Sequence, residues 1–156
     1  MWKEHYSRVF RLKERIKRDR RIVKAYAINH SIPAEGYTDD VYSCIQSLHH
    51  LKDWLVSDGV ISSSEANTFI DENFELQICQ DICIGTKHLT PKYKEKDMFF
   101  DVKVRPVVRT SKGSFDDVEF CHIVYYEGFH YDAIDLIEKS LNLWEEFLKI
   151  KGATLN

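Results

Sequence analysis

The residues best suited to chemistry lie between Gln77 and His88, in the run Gln77-Ile78-Cys79-Gln80-Asp81-Ile82-Cys83-Ile84-Gly85-Thr86-Lys87-His88. Wound as a helix at about 100° per residue, this stretch sorts into two sectors. Ile78, Cys79, Ile82, Cys83 and Thr86 cover a broad face that reads as core. Asp81, Ile84, Gly85 and His88 gather along the edge of the other. Asp81 and His88 stand two turns apart and point the same way. Gly85 lies between them, where a missing Cβ leaves room for a backbone or a ligand. Leu89-Thr90-Pro91 then stops the helix, because proline cannot continue the hydrogen-bond ladder. A helix end carrying an acid, a glycine, a lysine and a histidine is the best candidate for a site, and by itself it names no reaction.

A second polar motif is His49-His50-Leu51-Lys52-Asp53-Trp54-Leu55. Lys52 falls on the border of an apolar stripe, where a charge needs a partner. Antiparallel packing of the two helices would bring Lys52 or His49 to Asp81. A Lys52–Asp81 salt bridge that fixes helix register is the simplest outcome, and a polar cleft ending in His88 is the functional one. His49 and Asp53, four apart, lie just outside the stripe, while His50 points nearly opposite. With His88 they would make three metal ligands, yet the HExxH arrangement is absent. Cys79 and Cys83 share a face but have no second Cys or His pair at matching spacing, so no metal is expected. Neither the P-loop nor the Gly-x-Gly-x-x-Gly pattern occurs, nor a Gly-x-Ser-x-Gly elbow, and no cofactor is implied. His122 and His130 read as packing or surface residues.

The elements that must position these residues follow from periodicity. Trp2, Tyr6, Val9, Leu12, Ile16, Val23 and Ala27 form the apolar stripe of a first helix reaching about Asn29. Ser31 to Gly36 breaks it. Thr38 is placed to cap a second helix whose stripe is Val41, Cys44, Ile45, Leu48, Leu51 and Leu55, ended by Asp58-Gly59. Ser62-Ser63-Ser64-Glu65 has capping-box spacing and opens a short helix through Ile70. The helix carrying Asp81 and His88 starts near Glu72. After Pro91 the period changes to two. Phe100, Val102, Val104 and Val108 alternate with Asp101, Lys103, Arg105 and Arg109, a strand that Pro106 confines to an edge or a bulge. Lys112-Gly113-Ser114 supplies a turn, Val118 to Tyr126 the return strand, and Gly128 closes the hairpin. Asp132 caps a last helix that buries Ala133, Leu136, Ile137, Leu141, Trp144, Phe147 and Leu148.

At 156 residues, with 44% hydrophobic and 13% aromatic content, the chain can fold as one domain without staples and is not disordered. No apolar run approaches a membrane span, and no signal-peptide pattern follows the N-terminus, so a cytoplasmic location is expected. The cysteines Cys44, Cys79, Cys83 and Cys121 then read as core thiols. The net charge of −3 hides an asymmetry: residues 3 to 24 hold ten Lys or Arg against three acids, a net of +7, leaving −10 elsewhere. Such a split marks nucleic-acid binding, oppositely charged faces that meet in an oligomer, or a solvated helix face.

Leu51-Lys52-Asp53-Trp54 on one helix, with Asp81-Ile82 … Lys87-His88 on another, resembles HEPN-like proteins over roughly residues 2 to 90. The resemblance implies a small helical bundle, often dimeric, of the kind found in bacterial toxin–antitoxin and defence systems. Active HEPN ribonucleases carry an arginine with a histidine a few residues on. No arginine of this chain has a histidine at that distance, and His88 instead has Asp81 upstream.

Together these readings predict a mainly α single domain over 1–156. A helical core spans 1–90, an appended two-stranded antiparallel β-hairpin 97–126 and a closing C-terminal helix 131–151. The expected function is a non-catalytic binding module, homodimeric, that presents its basic first helix to RNA or an acidic protein through Arg18, Arg20 and Arg21. Lys52, Lys87 and His49 are the further ligand contacts. The alternative is a HEPN-like ribonuclease using His88 and Asp81.

Overall fold

The structure is a computed structural model that describes residues 1–27, 35–87, 102–108 and 118–153, with side chains over 1–19, 39–85 and 122–153. The chain runs α1 (Trp2–Ala27), α2 (Glu35–Ser57), α3 (Ser63–Asp71), α4 (Phe74–Lys87), β1 (Val102–Val108), β2 (Val118–Tyr126), β3 (Phe129–Asp132) and α5 (Ala133–Ile150). It is a mainly helical bundle with an antiparallel sheet and a closing helix, the layout the periodicity predicts.

Most of the predicted stripe residues with described side chains are core. All six stripe residues of α2, Val41, Cys44, Ile45, Leu48, Leu51 and Leu55, are fully buried. They meet Trp2, Tyr6, Val9 and Ile16 of α1, Ile78, Cys79 and Ile82 of α4, and Ile137, Leu141, Trp144 and Leu148 of α5 in one continuous cluster. Each fully buried aliphatic side chain contributes about 1.5–3 kcal/mol relative to exposure, so α2 alone supplies much of what orders the bundle. Trp54 and Phe147 only flank this cluster.

Termini follow local chemistry. Ser62 caps α3: its hydroxyl accepts from the Glu65 amide at 3.2 Å and the Glu65 carboxylate accepts from the Ser62 amide at 2.8 Å. Asp132 caps α5 by accepting from the Ile134 amide at 2.9 Å. Gly59, with φ 68°, lets Val60 donate back to the Leu55 carbonyl at 2.9 Å, which closes α2. Two boundaries differ from expectation. Helix α2 begins at Glu35, so Thr38 lies within it rather than at its cap. Once the stripe is packed, each added turn residue gains a bond for little further ordering. Helix α4 begins at Phe74, because α3 and its C-cap at Glu72 occupy the preceding residues. The expected stop at Leu89-Thr90-Pro91 and the turn at Lys112-Gly113-Ser114 lie outside the described residues.

The sheet has three strands in the order β1-β2-β3, one more than the hairpin read from sequence. Strands β1 and β2 pair antiparallel from Val102↔Val124 to Val108↔Val118, which leaves Pro106 on an edge strand as its missing donor requires. Glu127 (φ 47°) and Gly128 (φ 80°) form a two-residue turn with both residues left-handed. That turn folds Phe129–Asp132 back onto β2. Val124 and Tyr126 of β2 are buried and belong to the main core cluster.

Candidate functional site

Helix α4 presents Asp81 where the sequence places it, half-buried at the edge of the face that carries Ile78 and Ile82. Its partner is the Tyr126 hydroxyl, which donates to Oδ2 at 2.7 Å. Burial, reinforced by that carboxylate, raises the Tyr126 phenol well above its ordinary value, so the pair is a fixed phenol–carboxylate bond. The predicted Lys52–Asp81 salt bridge is not formed. Lys52 is half-buried beside Asp53, Val56 and Ser57 of α2 and Ser63, Ala66 and Asn67 of α3, on the flank of α2 that meets α3. A side chain on that flank cannot also reach the sheet side of α4. Lys87 ends α4, and its side chain, with all of His88, lies outside the described residues.

His49 is buried, 8% exposed, with its ring 5.5 Å from that of His50. Asp53, which the sequence sets on the same side of α2 as His49, pairs with His50 instead. Asp53 accepts from His50 Nδ1 at 3.0 Å, and His50 Nε2 lies 3.7 Å from Cys83 Sγ on α4. On a helix both the third and the fourth residue onward are neighbours, and here the third one wins. Since a carboxylate only accepts, Nδ1 carries the proton toward Asp53, and in that tautomer Nε2 presents its lone pair to the thiol. Sequence reasoning missed this Cys83–His50–Asp53 chain; the His50-Leu51-Lys52-Asp53 spacing was its only local signal. Among the described residues no group of three or more His, Cys, Asp or Glu is arranged to hold a metal.

The first helix carries the positive charge. Arg8, Arg11, Arg15 and Arg18, spaced three, four and three, lie within about 80° of one another on α1 and are all exposed. They line an open groove of about 850 Å³ together with Phe10, Leu12 and Ser43. Phe10 is 45% exposed, with the Lys13 ammonium 4.2 Å from its ring centre. A second groove, of about 240 Å³, shares Arg8 and Arg11 and is walled by His5 and Trp54, whose rings stack 5.5 Å apart. His5 donates through Nε2 to the Ser47 carbonyl at 2.7 Å, which fixes the stack. Burial lowers the His5 pKa, so its ring is neutral at pH 7. Arg15 is paired with Asp40, and Arg18 lies 3.4 Å from Asp19. Arg8 and Arg11 make no ion pair among the described residues. Arg20 and Arg21 ride on α1, with side chains outside the described set.

Comparison with family models, with curated proteins and with solved structures returns no match to this chain. No helix among the described residues is long and apolar enough to cross a membrane.

Proposed function

We propose that this protein is a non-catalytic RNA-binding module that holds a single strand along α1. The observation that carries the reading is the arginine stripe with aromatic surface on both sides. Arg8 and Arg11 stand between Phe10 in one groove and the His5–Trp54 stack in the other. Guanidinium forks match phosphate geometry, and single-stranded bases stack on aromatic faces without sequence preference. A HEPN-like bundle lacking the ribonuclease is part of the same proposal. Engagement of Asp81 by Tyr126 supports placing catalysis at His88 second. The +7 excess of residues 3 to 24 supports an anionic partner for α1, and a homodimer belongs to the same proposal.

The test is anisotropy of a labelled single-stranded RNA against salt concentration. Each phosphate neutralised contributes about −0.7 to the slope of log affinity against log salt, so two to four engaged arginines give about −1.4 to −2.8. Arg8→Glu with Arg11→Glu removes most of the affinity, and charge reversal at Arg18, Arg20 and Arg21 weakens it further without unfolding. Phe10→Ala weakens binding but leaves the slope unchanged. Absence of binding at about 50 mM salt refutes the proposal. Tight capture of an acidic polypeptide by a protein that ignores RNA would replace it with the protein-partner reading. RNA cleavage lost in His88→Ala, with the fold intact, would restore the nuclease.

A further inference from the structure

We propose that Cys83 is a peroxide-reactive thiol, deprotonated by His50 and positioned through Asp53, and that it is the residue at which this protein is oxidised to a sulfenic acid. The described cysteines are all buried thiols, and they differ in what faces the sulfur. Cys44 Sγ points to the Val9 carbonyl at 3.8 Å and Cys79 Sγ to the Ser140 hydroxyl at 3.6 Å. Neither partner is a base, and burial pushes both thiols up to about 12. Cys83 faces an imidazole nitrogen whose lone pair is turned toward it by the Nδ1–H bond to Asp53. A nucleophile, a base and a group that orients the base therefore stand in sequence across α2 and α4.

Access is graded along the same chain. Cys83 is 1% exposed, the His50 side chain 34% and Asp53 60%. The sulfur is buried and the imidazole it faces is partly exposed, a setting that favours a small neutral oxidant over bulky electrophiles. The step balances within these groups. The thiol proton moves to His50 Nε2, and the thiolate attacks one peroxide oxygen. The S–O bond forms as the O–O bond breaks, and the departing hydroxide takes the imidazolium proton and leaves as water. Sulfur is oxidised by two electrons and peroxide is reduced by two. Proton transfer inside the pair leaves its net charge unchanged, so burial opposes it less than it opposes a lone thiolate. Among the described residues, the groups that face His50 include Asp53 in direct bond, the His49 ring beside it, His5 from α1 and Cys83 from α4.

The experiment treats the folded protein with hydrogen peroxide, traps sulfenic acid with dimedone and maps the label by peptide mass spectrometry. Mapping separates Cys83 from Cys44, Cys79 and Cys121. Cys83 is expected to label first, and a maleimide of large size is expected to miss it. His50→Gln lowers the rate by about tenfold or more. Asp53→Ala lowers it severalfold and moves the inflection of its pH profile downward, because the carboxylate no longer favours the imidazolium. A purely structural Asp53 would leave that inflection in place. Labelling of Cys83 no faster than of Cys44 and Cys79 overturns the proposal, as does an unchanged rate in folded His50→Gln. If His50→Gln does not fold, the exposed Asp53→Ala decides: unchanged rate and inflection there also overturn it.

Discussion

At the scale of single residues, a charged side chain is defined by which flank of its helix it leaves. Asp81 leaves α4 toward β2 and meets a phenol; Lys52 leaves α2 toward α3 and meets no carboxylate among the described residues. The two substitutions should therefore differ. Tyr126→Phe deletes a buried donor to a carboxylate and is expected to cost about 1.5–3 kcal/mol. Lys52→Met removes an ammonium with no ion-pair partner among the described residues and should change stability by less than about 0.5 kcal/mol. Urea unfolding of both variants checks this, and a larger loss at Lys52 than at Tyr126 would reverse the assignment of partners. Asp81 was legible in the sequence as a polar edge on an apolar helix, but its partner was not, because a strand 45 residues later supplies it. The bond between His50 and Asp53 was closed to sequence for a different reason. A helical wheel gives direction without saying which neighbouring helix fills each direction.

At the scale of elements, the capping box of α3 ties that helix to α5. The Glu65 carboxylate caps Ser62 and also meets the Lys151 ammonium at the end of α5. Lys151, then the Ser62 amide and hydroxyl, hold the Glu65 pKa down to about 2 from an ordinary 4.5. A group depressed in the folded state stabilises above its unfolded pKa, and that contribution is lost as pH falls. The thermal midpoint should therefore decline between about pH 4.5 and 2 in the parent and decline less over that window in Glu65→Gln. Parallel pH curves for the two proteins would show that the carboxylate is not the titrating tie. The capping box was legible because it is local, whereas its tie to Lys151, 86 residues on, was not. The stripes of α1, α2 and α5 were legible because burial follows a repeating period. Strand β3 was not: four residues, Phe129–Asp132, carry too short a pattern, and only the Glu127-Gly128 turn announces them.

At the scale of the whole molecule, the sheet rests on the bundle as part of its core. Val124 and Tyr126 of β2 lie in the same buried cluster as Leu48 of α2 and Trp144 of α5. Ion pairs add to the closure, as with Lys17 of α1 and Glu138 of α5 at 2.6 Å, but both side chains are 37% exposed. Such exposed pairs are worth about 0–1 kcal/mol and cannot decide whether sheet and helices open together. Burial can. Leu48→Ala removes a fully buried side chain from the centre of α2 and is expected to cost about 2–5 kcal/mol. Because the cluster is continuous, that loss should appear equally in every element. Amide protection of β2 and of α2 should fall together in the variant, and fluorescence and far-ultraviolet dichroism should share one denaturant midpoint. Loss of β2 protection while α2 stays protected would make the sheet a separately opening unit, and the single core would then be two.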